Sequence, residues 1–236
     1  MATKAPTTPA TDDRQKSTKA PSRTQVVGHS VPKVDGLALA TGRAQFTADE
    51  IPKGTLIGML LLSPHAHARI RSIDTSAAEA LPGVHCVLHH GNVPRIAHTT
   101  AGQGYPEPSP YDTFMFDNKV RFVGDRVAAV AAETREIALK ALSLIKVEYE
   151  ILPAVLDPEQ ALAPDAPIIH DEPDISSFLP FDPKRNLAAW AEATVGDVEK
   201  GLAEADVVVG GEFETHYYAH APIEPHVTLT YLDPNG

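Results

Sequence analysis

The pattern of apolar and polar positions predicts three strands in the first two thirds of the chain, in addition to the two strands of a hairpin described below. Residues 55–63 form a continuous apolar run between Gly54 and Pro64, and residues 84–88 form a shorter one. Runs without alternation are typical of strands buried on both faces. Residues 145–152 instead alternate between apolar and polar side chains, which predicts a strand with one exposed face.

Two helices are predicted between these strands. Asp74 is suited to cap a short helix over residues 75–81, and Gly83 in the following "PGV" ends it. Thr134 is the expected cap of a longer helix, whose apolar residues recur at helical spacing. These residues are Ile137, Ala138, Ala141, Leu142 and Ile145.

A hairpin is predicted just before the longer helix, with strands at residues 120–123 and 126–132 and a turn at Gly124-Asp125. A long loop rich in Gly and Pro precedes it, from His89 to about Asp117. Loops of this length are usually mobile or functional. The order of elements predicts one α+β domain over residues 26–152.

The rest of the chain is expected to be less regular. Residues 153–195 are predicted to be an extended connector, because seven prolines within residues 153–185 exclude long helices and central strands. Residues 196–236 should hold a short helix capped by Asp197 and strands near 206–215 and 228–232. These are too few elements for a hydrophobic core of their own, so we expect this region to pack against further polypeptide. We expect the chemistry to lie in that further polypeptide.

Composition excludes several classes of partner. The net charge of −11 argues against binding to nucleic acid or to an anionic membrane. Residues 1–25 lack an apolar run and are predicted to be a disordered tail. No segment approaches the ~18 apolar residues of a membrane span, and no export signal is present, so a cytoplasmic location is expected. The single cysteine, Cys86, cannot ligate an iron–sulfur cluster, which needs about four, and its apolar surroundings predict a buried, inert thiol.

Candidate sites in the sequence are weak. His65 and His67 have the i, i+2 spacing of some metal sites, but they follow Pro64 and have no evident third ligand, which favours loop hydrogen bonding. A second group is formed by His216, His220, Glu224 and His226. His216 and His220 have the i, i+4 spacing of zinc ligands on a helix, but the segment is rich in aromatic residues and proline, which argues against a helix.

Other catalytic motifs are missing from the sequence. There is no Gly-x-Ser-x-Gly elbow, and "AGQGYP" (101–106) lacks the third glycine and the flanking elements of a dinucleotide fingerprint. The adjacent carboxylates Asp171 and Glu172 lie in the connector and are expected on the solvated surface. The residues alone therefore indicate no active site.

Six segments carry a resemblance to a known family. They are "DGLALATGRAQFTAD" (35–49), "LLSPHAHARIRSIDTSAAEALPGVHCVL" (61–88), "VRFVGDRVAAVAAET" (120–134), "ALSLIKVEYEILPAVLDPEQAL" (141–162), "GDVEKGLAEADVVV" (196–209) and "HAPIEPHVTLTYLDPNG" (220–236). Together they resemble the amino-terminal part of the large, molybdopterin-binding subunit of the xanthine dehydrogenase/aldehyde oxidase family of molybdenum hydroxylases. The resemblance implies an α/β hammerhead domain, then the connector, then the incomplete start of the molybdopterin-binding domain at residues 196–236. It also gives Gly83, Gly124-Asp125 and Glu224-Pro225-His226 architectural roles.

The resemblance implies oxidation of an aldehyde or an N-heteroaromatic carbon with water as the oxygen source. The implied cofactors are molybdenum-molybdopterin in the continuation of the chain or a partner, and [2Fe–2S] clusters and FAD on partner subunits or domains. No residue matches a family catalytic position, so no catalytic, cofactor-binding or metal-binding residue is assigned. The alternatives are a scaffold or interaction module that keeps the hammerhead fold without chemistry, and, more remotely, an independent histidine metalloprotein.

Overall fold

The computed structural model describes residues 24–100, 109–216, 218–224 and 226–233. These residues fall into two units, one formed by 24–51 with 224–233 and the other by 52–223. The first unit contains α1 (Gly36–Ala40) and a 3₁₀ turn at Thr47–Asp49. Within that turn the Asp49 carboxylate accepts a hydrogen bond from the Phe46 N–H (3.0 Å).

The second unit contains two three-stranded antiparallel sheets. Its strands are β1 (Ile57–Leu62), β2 (Ala68–Asp74), β3 (Val84–His89), β4 (Lys119–Val120), β5 (Arg126–Ala132) and β6 (Lys146–Ile151). Sheet A has the order β1-β5-β3 and sheet B the order β4-β2-β6. The helices are α2 (Ser76–Glu79), α3 (Arg135–Leu144), α4 (Pro158–Ala161) and α5 (Val198–Glu204).

The main core lies between sheet A and the helices α2 and α3. Ala138 and Ala141 on α3 are fully buried, and so are Ala128 and Ala132 on β5. Small residues on both sides let a helix approach a sheet closely. The predicted helix is confirmed in its cap as well, because the Thr134 side chain accepts a hydrogen bond from the Ile137 N–H (3.3 Å).

A second, smaller core cluster joins sheet B to sheet A. It contains Ala68, Ile70, Val120 and Val127. The pairing of β5 with β1 passes from Ala128 directly to Arg126, so Val127 has no partner in β1. This is a β-bulge, which reorients one side chain, and here it places Val127 in the second cluster.

Several strand predictions need correction. The strand within residues 55–63 exists, but its residues alternate in exposure, and Leu60 and Leu62 are about half exposed at 47% and 48%. The strand at 84–88 is also largely exposed and not buried. Among the described residues, sheet A has helices on one face only, so its strands have one buried face. The strand β2 was not predicted, because arginine and serine interrupt its apolar residues.

The predicted hairpin is wrong. Strand β4 pairs with β2 in sheet B, whereas β5 pairs with β1 and β3 in sheet A. The turn itself is present: Gly124 has φ +96°, and its N–H donates to the Ser63 carbonyl (2.8 Å). The turn carries the chain from one sheet to the other.

The first short helix differs in detail. Thr75, not Asp74, is its cap residue, although Asp74 Oδ1 accepts the Ser76 N–H (3.0 Å). The helix ends at Glu79, and Gly83 follows in the turn before β3 with φ +88°. Gly83 therefore makes the turn into the strand and does not end the helix.

The region after the connector is only partly as predicted. Asp197 caps α5 by accepting the Lys200 N–H (3.0 Å). The predicted strands at 206–215 and 228–232 are not formed in the described residues, where Val207, Val209 and Phe213 are mostly exposed. A strand needs a hydrogen-bonded partner, and the described part of the chain offers these segments none. Residues 1–23 and the segment "AGQGYP" lie outside the described residues.

Candidate functional site

The two early histidines serve the fold of sheet B. His67 is buried, and its Nδ1 donates to the Pro153 carbonyl at 2.7 Å, which fixes the tautomer. His65 packs edge-on against the Tyr149 ring, with 4.8 Å between centroids. Loop hydrogen bonding was the expected alternative to a metal role, and it is confirmed for His67.

Burial lowers the pKa of His67, and the nearby cations Lys119 and Arg121 act in the same direction, although the Pro153 carbonyl opposes them. A neutral imidazole with one donor and one acceptor is therefore the form present near neutral pH.

The prediction for Cys86 is wrong, since this thiol is exposed on β3. It is exposed because no helix within the described ranges covers the face of sheet A that lies opposite α2 and α3.

The prediction that Asp171 and Glu172 are solvated is wrong for Glu172, whose side chain is only 9% exposed. Both carboxylates join a charge cluster between sheet B and the connector. The cluster consists of Arg69, Arg95, Asp117, Lys119, Arg121, Asp171, Glu172 and Asp174. Sequence reasoning missed it because its members lie up to 105 positions apart, from Arg69 to Asp174.

Lys119 is at the centre of the cluster. Its side chain is 2% exposed, and Nζ donates to the Ile169 carbonyl (2.5 Å) and to Asp171 Oδ1 (2.6 Å). Glu172 Oε1 lies 3.5 Å from the same nitrogen. An ammonium group has three donors, and a buried lysine is stable only when its charge is compensated, so these three oxygens satisfy it.

Arg121 and Arg95 extend the cluster. Arg121 Nη2 binds Asp117 Oδ2 at 2.8 Å and also Glu172, while Nη1 donates to the Lys119 carbonyl (3.0 Å). Arg95 stacks 3.6 Å above the centroid of the Phe114 ring and reaches Asp117 Oδ1 with Nε (3.2 Å). Each guanidinium thus bridges two elements through its fixed fork of donors.

The electrostatics lower the pKa of two carboxylates of the cluster, Glu172 and Asp171. Burial alone would raise the pKa of Glu172, but His170, Arg121 and Lys119 outweigh it and hold that pKa well below its usual value. The pKa of Asp171 is lowered in the same way: burial opposes, and Lys119 and Arg69 prevail. His170 Nδ1 lies 3.3 Å from Glu172 Oε2 and adds to this stabilisation.

An apolar cavity of about 330 Å³ lies next to the cluster, between the connector and the loop before β4. Its walls include Val155, Leu156, Ile169, Ile175, Phe181 and Leu187. Its polar side chains are mostly engaged already: Asn186 bonds to three backbone groups, and Asp157 caps α4. Two further polar side chains line it, His170 and Asp112, and His170 Nε2 lies 3.8 Å from Asp112 Oδ2.

The arrangement can bind charge but offers no site for a metal. No three His, Cys, Asp or Glu side chains converge as metal ligands in the described residues. The carboxylates of the cluster are paired with the cations of the same cluster. No step of a reaction is therefore assigned to the described residues. Over the same ranges, no helix is long and apolar enough to cross a bilayer.

Two family models match the chain. The a/b hammerhead domain of aldehyde oxidase and xanthine dehydrogenase matches residues 41–153, and the molybdopterin cofactor-binding domain matches residues 180–236. The charge cluster joins the first match to the stretch that follows it. Lys119 lies within the hammerhead match, and Glu172 lies between the two matches.

Curated relatives are similar over most of the chain. The probable hypoxanthine oxidase XdhD of Escherichia coli (strain K12) is 39% identical over 234 residues, which cover 89% of this chain and 24% of that protein. The nicotinate dehydrogenase large molybdopterin subunit of Eubacterium barkeri is 32% identical, covering 90% and 46%. The chain thus spans 24% of the length of the first relative and 46% of the length of the second.

Solved structures agree with these matches. The aldehyde oxidoreductase from Desulfovibrio gigas is similar with a TM-score of 0.50 and 34% identity, over 59% of this chain and 16% of that chain. A Cu,Mo-CO dehydrogenase gives a TM-score of 0.55 and 30% identity, over 76% and 23%. The predicted α+β hammerhead fold is confirmed. The chain belongs to the xanthine dehydrogenase/aldehyde oxidase family of molybdenum hydroxylases.

Proposed function

We propose that this chain is part of the molybdopterin-binding subunit of a molybdenum hydroxylase. The observation that carries the proposal is the succession of the two family matches, hammerhead domain at 41–153 and molybdopterin cofactor-binding domain at 180–236. The similarity to oxidoreductases such as the probable hypoxanthine oxidase argues against a non-catalytic scaffold, which would not need this succession. The proposed domain limits are 26–152, 153–195 and 196–236.

The proposed reaction is the oxidation of an aldehyde or an N-heteroaromatic carbon. In it a substrate C–H becomes C–OH, water supplies the oxygen, and two electrons and two protons leave. The bound molybdenum cofactor supplies the electron-accepting centre when present. Because this chain covers only 24% of the length of the probable hypoxanthine oxidase XdhD, we place the cofactor contacts and the catalytic groups in the part of that length that this chain does not match.

The proposed partners follow from electron transfer. The electrons must reach an acceptor, and one cysteine cannot hold an iron–sulfur cluster, which needs about four. The [2Fe–2S] and FAD centres are therefore placed on partner subunits or domains. The relative from Eubacterium barkeri is itself named a large subunit, which supports such an assembly. A cytoplasmic location completes the proposal.

The test uses the enzyme purified with its natural partners. We expect molybdenum close to one atom per chain, and reduction of an artificial electron acceptor when an aldehyde, hypoxanthine or nicotinate is added. Reaction in ¹⁸O-labelled water should place the label in the product. A preparation that contains all partners but no molybdenum, and that oxidises none of these substrates, would contradict the proposal and support the scaffold.

A further inference from the structure

Apart from Asp117, the charges of the cluster are divided by sign between two parts of the chain. Four cations come from the hammerhead domain, namely Arg69, Arg95, Lys119 and Arg121, and we call this group the cationic socket. Three anions come from residues 170–174 of the connector, "HDEPD", which we call the acidic peptide. Every carboxylate of the acidic peptide is paired with a cation of the socket.

The burial differs along the contact. Lys119 (2% exposed) and Glu172 (9%) are deep, whereas Asp171 and Asp174 are 42% and 47% exposed. A buried charge without its partner is strongly unfavourable, while an exposed ion pair contributes little. The docking of the acidic peptide therefore depends on Lys119, Arg121 and Glu172, and the outer pairs only align it.

Uncharged contacts continue the docking on both sides of the acidic peptide. The Ile169 carbonyl accepts from Lys119, and the Ile169 N–H donates to the Asn186 side chain at 2.9 Å. The Tyr111 N–H donates to the Ser176 carbonyl at 2.7 Å. The connector is thus held at residues 169–176, after the hammerhead match ends at 153 and before the cofactor-domain match begins at 180.

We propose that the acidic peptide, docked in the cationic socket, positions the molybdopterin-binding segment that follows it, and that Lys119 is the positioning residue. The hammerhead domain then acts as a receptor for its own connector. The proposal has two parts. The docking of the acidic peptide rests on the geometry alone, whereas the positioning of the cofactor-binding segment also rests on the proposed function.

The experiment compares Lys119→Met with Lys140→Met in the complete enzyme. Both changes remove a lysine charge, but Lys140 is exposed on α3, away from the socket. Hydrogen exchange is followed in peptides covering residues 165–176 and residues 135–144. For Lys119→Met we expect exchange at 165–176 at least tenfold faster, unchanged exchange at 135–144, and molybdenum content reduced at least twofold. Lys140→Met should match the wild type.

The outcomes separate the two parts of the proposal. Unchanged exchange at 165–176 would overturn the docking, and faster exchange with unchanged molybdenum content and unchanged kcat would overturn the positioning role. Wild-type enzyme without molybdenum would contradict the proposed function, while the exchange measurement would still decide the docking.

A second pair of variants covers a failure of Lys119→Met to fold, which faster exchange at 135–144 would reveal. Glu172→Gln keeps the side-chain volume and removes the charge, and Glu159→Gln does the same at an exposed position of the connector. We expect Glu172→Gln to accelerate exchange at 165–176 and Glu159→Gln to leave it unchanged. Equal exchange in the two variants would overturn the docking.

Discussion

Individual buried polar groups, more than apolar ones, distinguish this domain at the residue scale. Lys119, Asp117 and Glu172 are nearly inaccessible to solvent and are ion-paired to one another or to Arg121. His67 is likewise buried and hydrogen-bonded. Removing one partner of such a pair leaves the other uncompensated in a poorly solvated site, so single substitutions here should have large effects.

The stability of the chain should depend on the ionisation of Glu172. Its pKa is lowered in the folded protein, so its stabilisation is complete above its ordinary pKa of 4.5 and is lost as the pH falls below that value. Glu172→Gln should lower the free energy of unfolding at pH 7 by about 3 kcal/mol. Urea unfolding between pH 7 and pH 3 should then show a shallower pH dependence for the variant than for the wild type. Parallel pH curves would contradict this.

His67 should contribute most above its ordinary pKa of 6.5, because burial lowers its pKa in the folded protein. As the pH falls through the folded pKa, the neutral imidazole is protonated at a cost to the fold. His67→Ala should destabilise by about 1–3 kcal/mol at pH 8, because the Pro153 carbonyl loses its donor. The difference from the wild type should narrow at pH 5, as thermal unfolding can measure. If the difference in stability between the variant and the wild type were larger at pH 5 than at pH 8, the predicted pH dependence would be wrong.

At the scale of elements, the sequence predicts what is locally encoded. Helix α3 and its cap were correctly predicted because Thr134 and the apolar stripe lie within twelve residues. The hairpin predicted for β4 and β5 was wrong, because a turn between two strand-like runs does not reveal whether both strands join the same sheet. The burial of Glu172 was missed because its partners Lys119 and Arg121 are some fifty positions earlier.

The contact between α3 and sheet A should not tolerate larger side chains. Ala138 and Ala141 are fully buried against β5, where Ala128 and Ala132 are also inaccessible. Ala141→Leu should therefore destabilise by about 1–3 kcal/mol through overpacking. The control is Leu139→Ala, at a position that is 48% exposed, which should change stability much less. Thermal unfolding of both variants checks this, and similar melting temperatures would contradict it.

Gly83 and Ile137 should be energetically coupled. A Cβ at Gly83 would lie 2.7 Å from Ile137 Cδ1, and the backbone there has φ +88°. Gly83→Ala should cost at least 1 kcal/mol, because both the close contact and the left-handed conformation oppose it. Adding Ile137→Val removes Cδ1, so the double variant should be more stable than the sum of the single effects. Strict additivity would mean that the backbone conformation alone sets the cost.

At the scale of the molecule, one face of sheet A is open in the described residues. The pairing of the strands shows which residues share this face. Leu60 and Leu88 both pair with Ala129, and Gly58 and Cys86 both pair with Ala131. With Leu62, whose partner in β5 is Arg126, these residues form a largely apolar surface. Contiguous apolar surfaces of this kind favour association.

Self-association of the isolated chain should therefore depend on this open face. The double variant Leu60→Gln/Leu88→Gln should weaken association at least tenfold in sedimentation experiments, with little change in melting temperature. Leu139→Gln serves as the control, because Leu139 is similarly exposed but lies on α3. Equal weakening by the control would show that general hydrophobicity, not this face, drives association.

The exposed thiol of Cys86 lies on this same surface, and the sequence contains no other cysteine. The chain thus carries its own reporter at a single defined point, without any engineering. Alkylation by a maleimide should be fast in the isolated chain. A slower reaction in the assembled enzyme would show that another subunit or domain shields this patch.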